Sequence, residues 1–196
     1  VTSIDRAAHE VTLSTGKKLA YDKLLLATGS SPRKLNIDGA DLDGVHYLRT
    51  LDDSQALQAE LKGGGKKLVL IGSGWIGMEV GATATRLGNA VTVLTLDEVP
   101  LGRVLGAELG EYVTGLHLAQ GVVVRRSVSV QAIEGRDGRV TGVVLEGGEV
   151  VPADAVVAGI GAVPLTDLAS AAGLAVDIGV LVDAALRTSA PDVFAA

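Results

Sequence analysis

Six residues, Gly72-Ser73-Gly74-Trp75-Ile76-Gly77, carry three glycines in the spacing G-x-G-x-x-G. Each glycine has a physical task there. Gly72 allows a tight turn, Gly74 lets a phosphate approach the backbone, and Gly77 lets a helix close on a strand. A helix starting at this turn aims free N–H groups and its positive dipole end at an anion. The chemistry this suits is the binding of a dinucleotide pyrophosphate. Among 26 glycines the spacing alone is a weak signal. Its surroundings strengthen it. The apolar strand Leu68-Val69-Leu70-Ile71 precedes it, a helix with the small residues Gly81, Ala82 and Ala84 follows, and a second apolar strand over residues 91–96 completes a βαβ unit.

The same fingerprint places an acid ~20 residues on, where it accepts hydrogen bonds from the adenine ribose. The usual slot, at the end of the second strand, holds Thr95, and Asp97 and Glu98 follow at once. Asp97 is nearer the strand end and is the expected ribose ligand. No arginine directly follows the strand to hold a 2′-phosphate, so NAD is favoured over NADP; Arg103 lies further along. Glu79, read into the first turn of the helix, has two readings. One is a carboxylate placed favourably at the positive helix end; the other is a contact to the nicotinamide. His9, His46 and His117 join no nucleophile motif and show no metal-ligand spacing, so all three are expected to be structural or surface residues. No catalytic residue and no metal ligand is assigned, because hydride transfer depends on position and orientation.

The elements that must position these residues follow from pattern. Short strands are expected at residues 10–13 and 18–21, with turn chemistry at Ser14-Thr15-Gly16, and a buried strand at 24–27, after which Ser30-Ser31-Pro32 breaks regular structure. A helix over residues 52–62 has Thr50 as N-cap with Asp53 three residues on, puts Leu51, Leu57 and Leu61 near one face, and ends at Gly63-Gly64-Gly65. Tyr47 and Leu48, just after His46, have strand character. Further helices are expected at 75–87, stopped by Gly88-Asn89, at 106–120, stopped by Gly121, and briefly at 167–172. Residues 122–130 read as one strand, Arg136-Asp137-Gly138-Arg139 as a hairpin turn leading into 140–145, Gly147-Gly148 as another turn, and 155–159 as a buried strand. The expected fold class is α/β: a Rossmann-like parallel sheet with a β-meander insertion, flanked by further strands.

Composition narrows the function. Hydrophobic residues at 47% and charged residues at 20% describe a folded chain rather than a disordered one. A net charge of −6 argues against nucleic acid and anionic membranes as partners. The absence of cysteine removes disulfides, thiolate metal sites and any dithiol centre within the chain. No apolar run approaches the ~18 residues of a membrane span and no signal peptide is read at the start, so a cytoplasmic location is expected.

Several segments together resemble the FAD-dependent pyridine nucleotide-disulfide oxidoreductase superfamily, and within it the ferredoxin reductases of bacterial oxygenase systems. They are Leu25-Leu26-Ala27-Thr28-Gly29 with Pro32-Arg33, the stretch Gly44-Val45-His46-Tyr47-Leu48-Arg49-Thr50-Leu51-Asp52-Asp53, Trp75-Ile76-Gly77-Met78-Glu79, Arg103-Val104-Leu105-Gly106, Leu116-His117 with Gly121-Val122, and the run from Asp154 to Pro164. The resemblance covers nearly the whole chain. It implies that NADH reduces FAD and that the flavin passes single electrons to an iron–sulfur ferredoxin. It also implies roles. Gly72, Ser73, Gly74, Trp75, Ile76 and Gly77 would hold the pyrophosphate, Glu79 would sit near the nicotinamide, Asp97 and Arg103 would serve the adenosine half, and Gly161 would line the nicotinamide side. Thr28, Gly29 and Arg33 would touch FAD in the intact protein.

On this resemblance residues 1–32 are expected to be a partial FAD-domain β segment, 33–158 the NAD-binding domain, and 159–196 a return toward the FAD domain that stops before the family's Gly-Asp. The FAD fingerprint and the C-terminal interface domain are also expected to lie outside the chain. It should therefore hold NAD, hold FAD poorly and not turn over alone. Thr95 in the acid slot and Leu165 in place of an asparagine after the proline depart from the family pattern, with Thr166 expected to serve as N-cap instead. Two alternatives stay open: an NADH oxidase, peroxidase or CoA-disulfide reductase of the same superfamily, and a non-enzymatic NADH-binding redox sensor resembling apoptosis-inducing factor. A thioredoxin-reductase type is disfavoured, because its dithiol lies within the NAD domain.

Overall fold

A strand that is apolar at every position needs both faces of its sheet covered. Leu68, Val69, Leu70 and Ile71 have that surrounding, each at most 6% exposed. The structure is a computed structural model describing residues 1–196. The chain forms two units, one of Val1–Ser31 with Ala162–Ala196 and one of Pro32–Gly161.

The first unit opens with an antiparallel meander of β1 (Ser3–Asp5), β2 (Glu10–Thr12) and β3 (Lys18–Ala20), turned between the last two at Gly16. Then come β4 (Leu24–Leu26) and β5 (Ser30–Pro32). The second unit runs β6 (Val45–His46), α1 (Leu51–Leu61), β7 (Lys67–Ile71), α2 (Trp75–Arg86), β8 (Ala90–Leu94), α3 (Gly102–Leu105), α4 (Ala107–Ala119), β9 (Val123–Arg125), β10 (Val130–Arg136), β11 (Arg139–Leu145), β12 (Val150–Pro152) and β13 (Ala155–Ala158). The chain returns to the first unit with β14 (Ala162–Pro164), α5 (Asp167–Ala171) and β15 (Val193–Ala195). In that unit β15 pairs parallel to β4, and Leu26, Ala169, Leu174, Val193 and Ala195 form its core. No helix is long and apolar enough to cross a membrane.

The second unit is a five-stranded sheet in the order β6-β13-β7-β8-β9, with every pair parallel. Because side chains alternate along a strand, its residues divide cleanly between two cores. Leu68, Leu70, Val91, Val93, Ala155 and Val157 face α1 and α2, against Leu57, Leu61, Val80 and Ala84. Val69, Ile71, Leu94 and Val156 face the opposite way, against Ile133, Val140, Val143, Leu145 and Val151 of the antiparallel sheet β10-β11-β12. The meander thus does on one face what helices do on the other. Its hairpin turns at Asp137-Gly138, whose φ values of 53° and 81° are the left-handed pair that a two-residue connection requires.

Several pattern-based expectations are corrected here. Ser30-Ser31-Pro32 is not a break but β5, paired with β14 in a two-stranded ribbon. Such a strand has an open edge, where the missing N–H of a proline leaves no ladder bond unmade. Residues 122–130 are not one strand. The chain turns at Ser127, φ 53°, so β9 joins the parallel sheet and β10 the meander. The strand expected over 91–96 ends at Leu94, and α3 was not anticipated. Strand pairing near His46 involves Val45 and His46 rather than Tyr47 and Leu48. Leu51 is 72% exposed, off the face that buries Leu57 and Leu61. Ala82 is exposed, so of the three small residues only Gly81 and Ala84 face inward. Thr166 occupies the N-cap position of α5, but its side chain makes no capping bond.

The start of α1 has both halves of a capping box. Thr50 Oγ1 accepts from the Asp53 N–H at 3.1 Å, and Asp53 Oδ2 accepts from the Thr50 N–H at 2.8 Å and from the Arg49 N–H at 3.0 Å. Asn89, buried at the other end, donates to the carbonyls of Leu61 and Ala84 and accepts from the Lys66 N–H, so one side chain joins the ends of α1 and α2 to the start of β7. Replacing Thr50 by alanine is expected to cost about 1 kcal/mol of stability, read as a lower denaturant midpoint with unchanged slope. Hydrogen bonds from the Thr50 backbone, then its side chain, hold the Asp53 carboxyl below its ordinary range. A depressed carboxylate stabilises fully above its unfolded-state pKa and loses that contribution as pH falls through its folded-state value. Asp53→Ala should therefore destabilise more at pH ~7 than at pH ~3, on either side of the reference carboxylate value.

Candidate functional site

The glycine turn sits where β7 ends and α2 begins. Its geometry gives each glycine a reason. Gly72 has φ +103°, and a β-carbon there would lie 2.5 Å from the Gly159 carbonyl oxygen. One on Gly77 would lie 2.2 Å from the Gly72 carbonyl oxygen. Gly77 thus lets the helix close on the turn itself, a tighter approach than helix against strand. A β-carbon on Gly74 would meet nothing within 4 Å, so its side of the turn opens into free space. Gly74 is also the N-cap of α2, and no side chain caps that helix. Its first N–H groups are left to face an anion.

That open side belongs to a cavity of about 470 Å³ lined by Gly72, Ser73, Gly74, Thr95, Asp97, Arg103 and Gly161, with Ile71, Leu94, Gly159, Ile160 and Val128 among the rest. It lies at the carboxyl ends of β7, β8 and β13, the end at which parallel α/β sheets take their ligands. Asp97 accepts from Arg103 Nε at 2.7 Å, and Arg103 Nη2 stands 2.6 Å from the same oxygen, Oδ1. Glu98 is exposed and lines none of this cavity. The Thr95 and Ser73 hydroxyls lie 2.8 Å apart, 4% and 3% exposed, and Thr95 Oγ1 also accepts the Asp97 N–H at 3.1 Å. Thr95 thus stands where an acid was expected and joins the turn to the acidic loop. Its spacing marked the slot, but no pattern gave its partner. Val128, too, reaches the cavity only because the expected long strand is broken before it.

Not every candidate gathers here. Trp75 is half exposed and lines no part of the cavity. Ile76 and Glu79 line a separate cleft of about 460 Å³ between α1 and α2. Glu79 is the fifth residue of α2, and the first turn holds no acid, so its expected placement in that turn is corrected. The helix dipole fades within the first turn, which weakens the purely electrostatic reading. Gly161, φ +113°, accepts the Arg33 N–H at 2.9 Å. Thr28 and Gly29 lie in the other unit, where the Thr28 hydroxyl donates to the Leu165 carbonyl at 2.6 Å and Gly29 has φ +69°.

The histidines lie elsewhere. His9 stacks on Tyr21 and faces Asp192 at 3.1 Å. His117 bridges helices, with Nδ1 2.9 Å from the Val113 carbonyl and Nε2 3.0 Å from that of Met78. His46 has a buried Nε2 without a partner, and burial pushes its pKa below the usual value.

Comparison with known proteins places this geometry. The chain is 44% identical over 188 residues to a rhodocoxin reductase of Rhodococcus erythropolis, covering 96% of this chain and 44% of that protein. It is 45% identical over 196 residues to the ferredoxin–NAD(+) reductase component of the biphenyl dioxygenase system of Paraburkholderia xenovorans, covering 100% of this chain and 48% of that protein. A crystal structure of the ferredoxin reductase for the CYP199A2 system of Rhodopseudomonas palustris superposes with a TM-score of 0.92 at 39% identity, over 98% of this chain and 48% of that one. The chain spans about half the length of these relatives. The family model described as pyridine nucleotide-disulphide oxidoreductase matches residues 1–196. With a glycine turn, a cavity at the strand ends and this match along its whole length, the chain belongs to the pyridine nucleotide-disulphide oxidoreductase family.

Proposed function

We propose that the unit Pro32–Gly161 binds NADH, and that the whole protein is an oxidoreductase passing electrons from NADH through FAD to a ferredoxin-type acceptor. The observation that carries this is Gly74: an open position at an uncapped helix N-terminus, on the rim of the cavity that also holds Asp97 and Gly161. Those residues fit a dinucleotide. The amide groups at the start of α2 would hold the pyrophosphate, Ser73 would line its path, and Asp97 would accept from the adenine ribose. Gly161 would line the nicotinamide side, and Glu79 would contact the nicotinamide from its own cleft. For FAD, Thr28, Gly29 and Arg33 are the residues of this chain that would touch it. The Thr28 hydroxyl already donates within the protein, so it would meet the ligand as an acceptor. In such proteins the nicotinamide supplies a hydride and the flavin divides it into single electrons. What this chain adds is binding and orientation, with no side chain needed to move a proton. The relatives named as ferredoxin reductases support the acceptor class, and a cytoplasmic setting is part of the same reading.

Calorimetric titration of the protein with NADH and then NADPH should show saturable binding, tighter for NADH; no binding of either would remove the reading. Two glycine variants separate ligand contact from folding. Gly74→Ala puts a methyl group into open space, so it should leave the melting temperature nearly unchanged and weaken NADH about tenfold or more by obstructing the phosphate. Gly77→Ala drives a methyl into the Gly72 carbonyl and should lower both stability and affinity. With the FAD-bound full-length protein, NADH-dependent reduction of a ferredoxin is the expected turnover. Turnover of peroxide or a CoA disulfide in its place would select the other enzymes of the superfamily.

A further inference from the structure

A carbonyl oxygen accepts hydrogen bonds and cannot donate one, and the ring of His117 stands between two of them. Nδ1 lies 2.9 Å from the Val113 carbonyl oxygen, one turn back on α4, and Nε2 lies 3.0 Å from that of Met78 on α2. A neutral imidazole carries a single N–H, so it donates to one of these oxygens and points a lone pair at the other. The doubly protonated ring donates to both. His117 sits in the last turn of α4, where the helix dipole favours positive charge. The ring lines a crevice of about 460 Å³ with Thr85 and Arg86 of α2 and Gln120 beyond α4. Arg86 is the other charged side chain there and opposes the charge; no carboxylate lines the crevice. Glu79, next to Met78, faces the cleft on the α1 side, and Glu111 of α4 is engaged by Arg126. The two carbonyls are therefore what the protein offers to hold the second proton.

The oxygen that Nε2 reaches belongs to the start of α2. Met78 is buried, and its N–H donates to the Gly74 carbonyl at 3.0 Å, closing the first turn on the glycine whose other side opens into the cavity. The opposite end of α4 reaches the same turn by another path. A β-carbon on Gly110 would lie 2.7 Å from the Pro100 carbonyl oxygen, so α4 packs directly on that backbone, and the next N–H, of Leu101, donates to the Ser73 carbonyl. Thus α4 braces the glycine turn at two places, one by packing and one through a contact that depends on a proton. We propose that His117 is a positioning residue of the dinucleotide site, whose doubly protonated ring clamps α4 to the start of α2 so that affinity at the glycine turn falls when the ring gives up one proton. The inference rests on the reading of the cavity as a dinucleotide site. With its N–H on Nδ1, the neutral ring sets the Nε2 lone pair against the Met78 carbonyl. With its N–H on Nε2, it sets the Nδ1 lone pair against the Val113 carbonyl, and the ring must turn. Either way the bond across to α2 is loosened. The sign follows: the clamp is complete at low pH and weakens as pH rises, and dinucleotide binding that favours the clamped form must take up protons.

The probe is NAD(+), which carries the same pyrophosphate and cannot reduce a flavin. It is titrated calorimetrically from pH ~6 to ~8.5, spanning the ordinary imidazole value, in buffers of different ionisation enthalpy so that proton uptake is read together with affinity. The unsubstituted protein should bind about fivefold or more tighter at the lower end and take up protons on binding. His117→Gln has one nitrogen to donate from and no proton to gain; it should bind at every pH much as the unsubstituted protein does at pH ~8.5, without that uptake. His117→Arg keeps a charge and several donors throughout the range, and should hold the tighter affinity across it. A residue that only packs would change affinity by a constant factor and leave the pH slope untouched. The same slope and the same proton uptake in the unsubstituted protein and in His117→Gln overturn the positioning role and leave the dinucleotide site standing. Binding of neither NAD(+) nor NADH at any pH removes the site reading and the role of His117 with it. Nitrogen NMR of the imidazole rings at pH ~6 needs neither ligand nor variant: two N–H groups protected from exchange with water are expected at His117, and a ring with one N–H overturns the clamp.

Discussion

Three backbone segments meet at one point in this protein with no room for a side chain. A β-carbon on Gly72 would stand 2.5 Å from the Gly159 carbonyl, and one on Gly77 would stand 2.2 Å from the Gly72 carbonyl. The end of β7, the end of β13 and the start of α2 are thus packed backbone to backbone. Two hydrogen bonds hold the strand ends there: the Gly159 N–H donates to the Ile71 carbonyl, and the Gly72 N–H to that of Leu94. That approach creates the cavity. It brings the uncapped N-terminus of α2 to the carboxyl edge of the sheet, where strand ends and helix end can serve one ligand. Around it, the two-faced burial of β7, β8 and β13 keeps the strand ends from shifting. A shift of one residue would turn Leu68 and Leu70 toward the meander and Val69 and Ile71 toward the helices, breaking both cores at once.

Where sequence reading succeeded, one residue type had one physical use. Gly72 and Gly77 were legible because only glycine fits a positive φ or a sub-van der Waals approach, and Thr50 with Asp53 because a capping box needs no partner beyond its own turn. Residues 68–71 of β7 and the four residues of β13 were legible for the same reason: burial on both faces leaves no polar position there to confuse the pattern. Failures came where a tertiary partner decides. Residues 122–130 are apolar enough for one strand, and only the positive φ of Ser127 divides them between two sheets. Ser30-Ser31-Pro32 looked like a breaker, yet an edge position accepts its proline. Leu51 carries a core residue type and stands in solvent, because α1 begins a turn before the packed face does.

The site was legible to a similar degree, for related reasons. The glycine turn followed from spacing, and so did the placing of Asp97 beside the cavity on which that turn opens. Glu79 is less plain: α2 starts at Trp75 as the pattern expects, yet Glu79 is its fifth residue and lies past the first turn. It faces the cleft beside α1 instead of the cavity below the turn. The hydroxyl pair of Ser73 and Thr95 could not be read from sequence at all. The two residues are 22 apart, and their contact exists only because β8 lies next to β7.

An acid in the loop after a strand is held differently from one at the strand end. At a strand end, ladder bonds fix a residue through its backbone. Here the ladder stops at Leu94, and Asp97 depends on a threonine hydroxyl and an arginine for its position. The arginine sits on α3, a four-residue helix whose N-cap Leu101 takes φ +58°, a left-handed backbone that costs a leucine about 1–2 kcal/mol. Something must offset that cost. Leu101 is 5% exposed, and its N–H donates to the Ser73 carbonyl at 3.1 Å. The strained residue therefore ties the arginine-bearing helix to the glycine turn. Through Ser73 the turn holds both Thr95, by its hydroxyl, and α3, by its carbonyl, so the glycine turn and the loop that carries Asp97 form one hydrogen-bonded body.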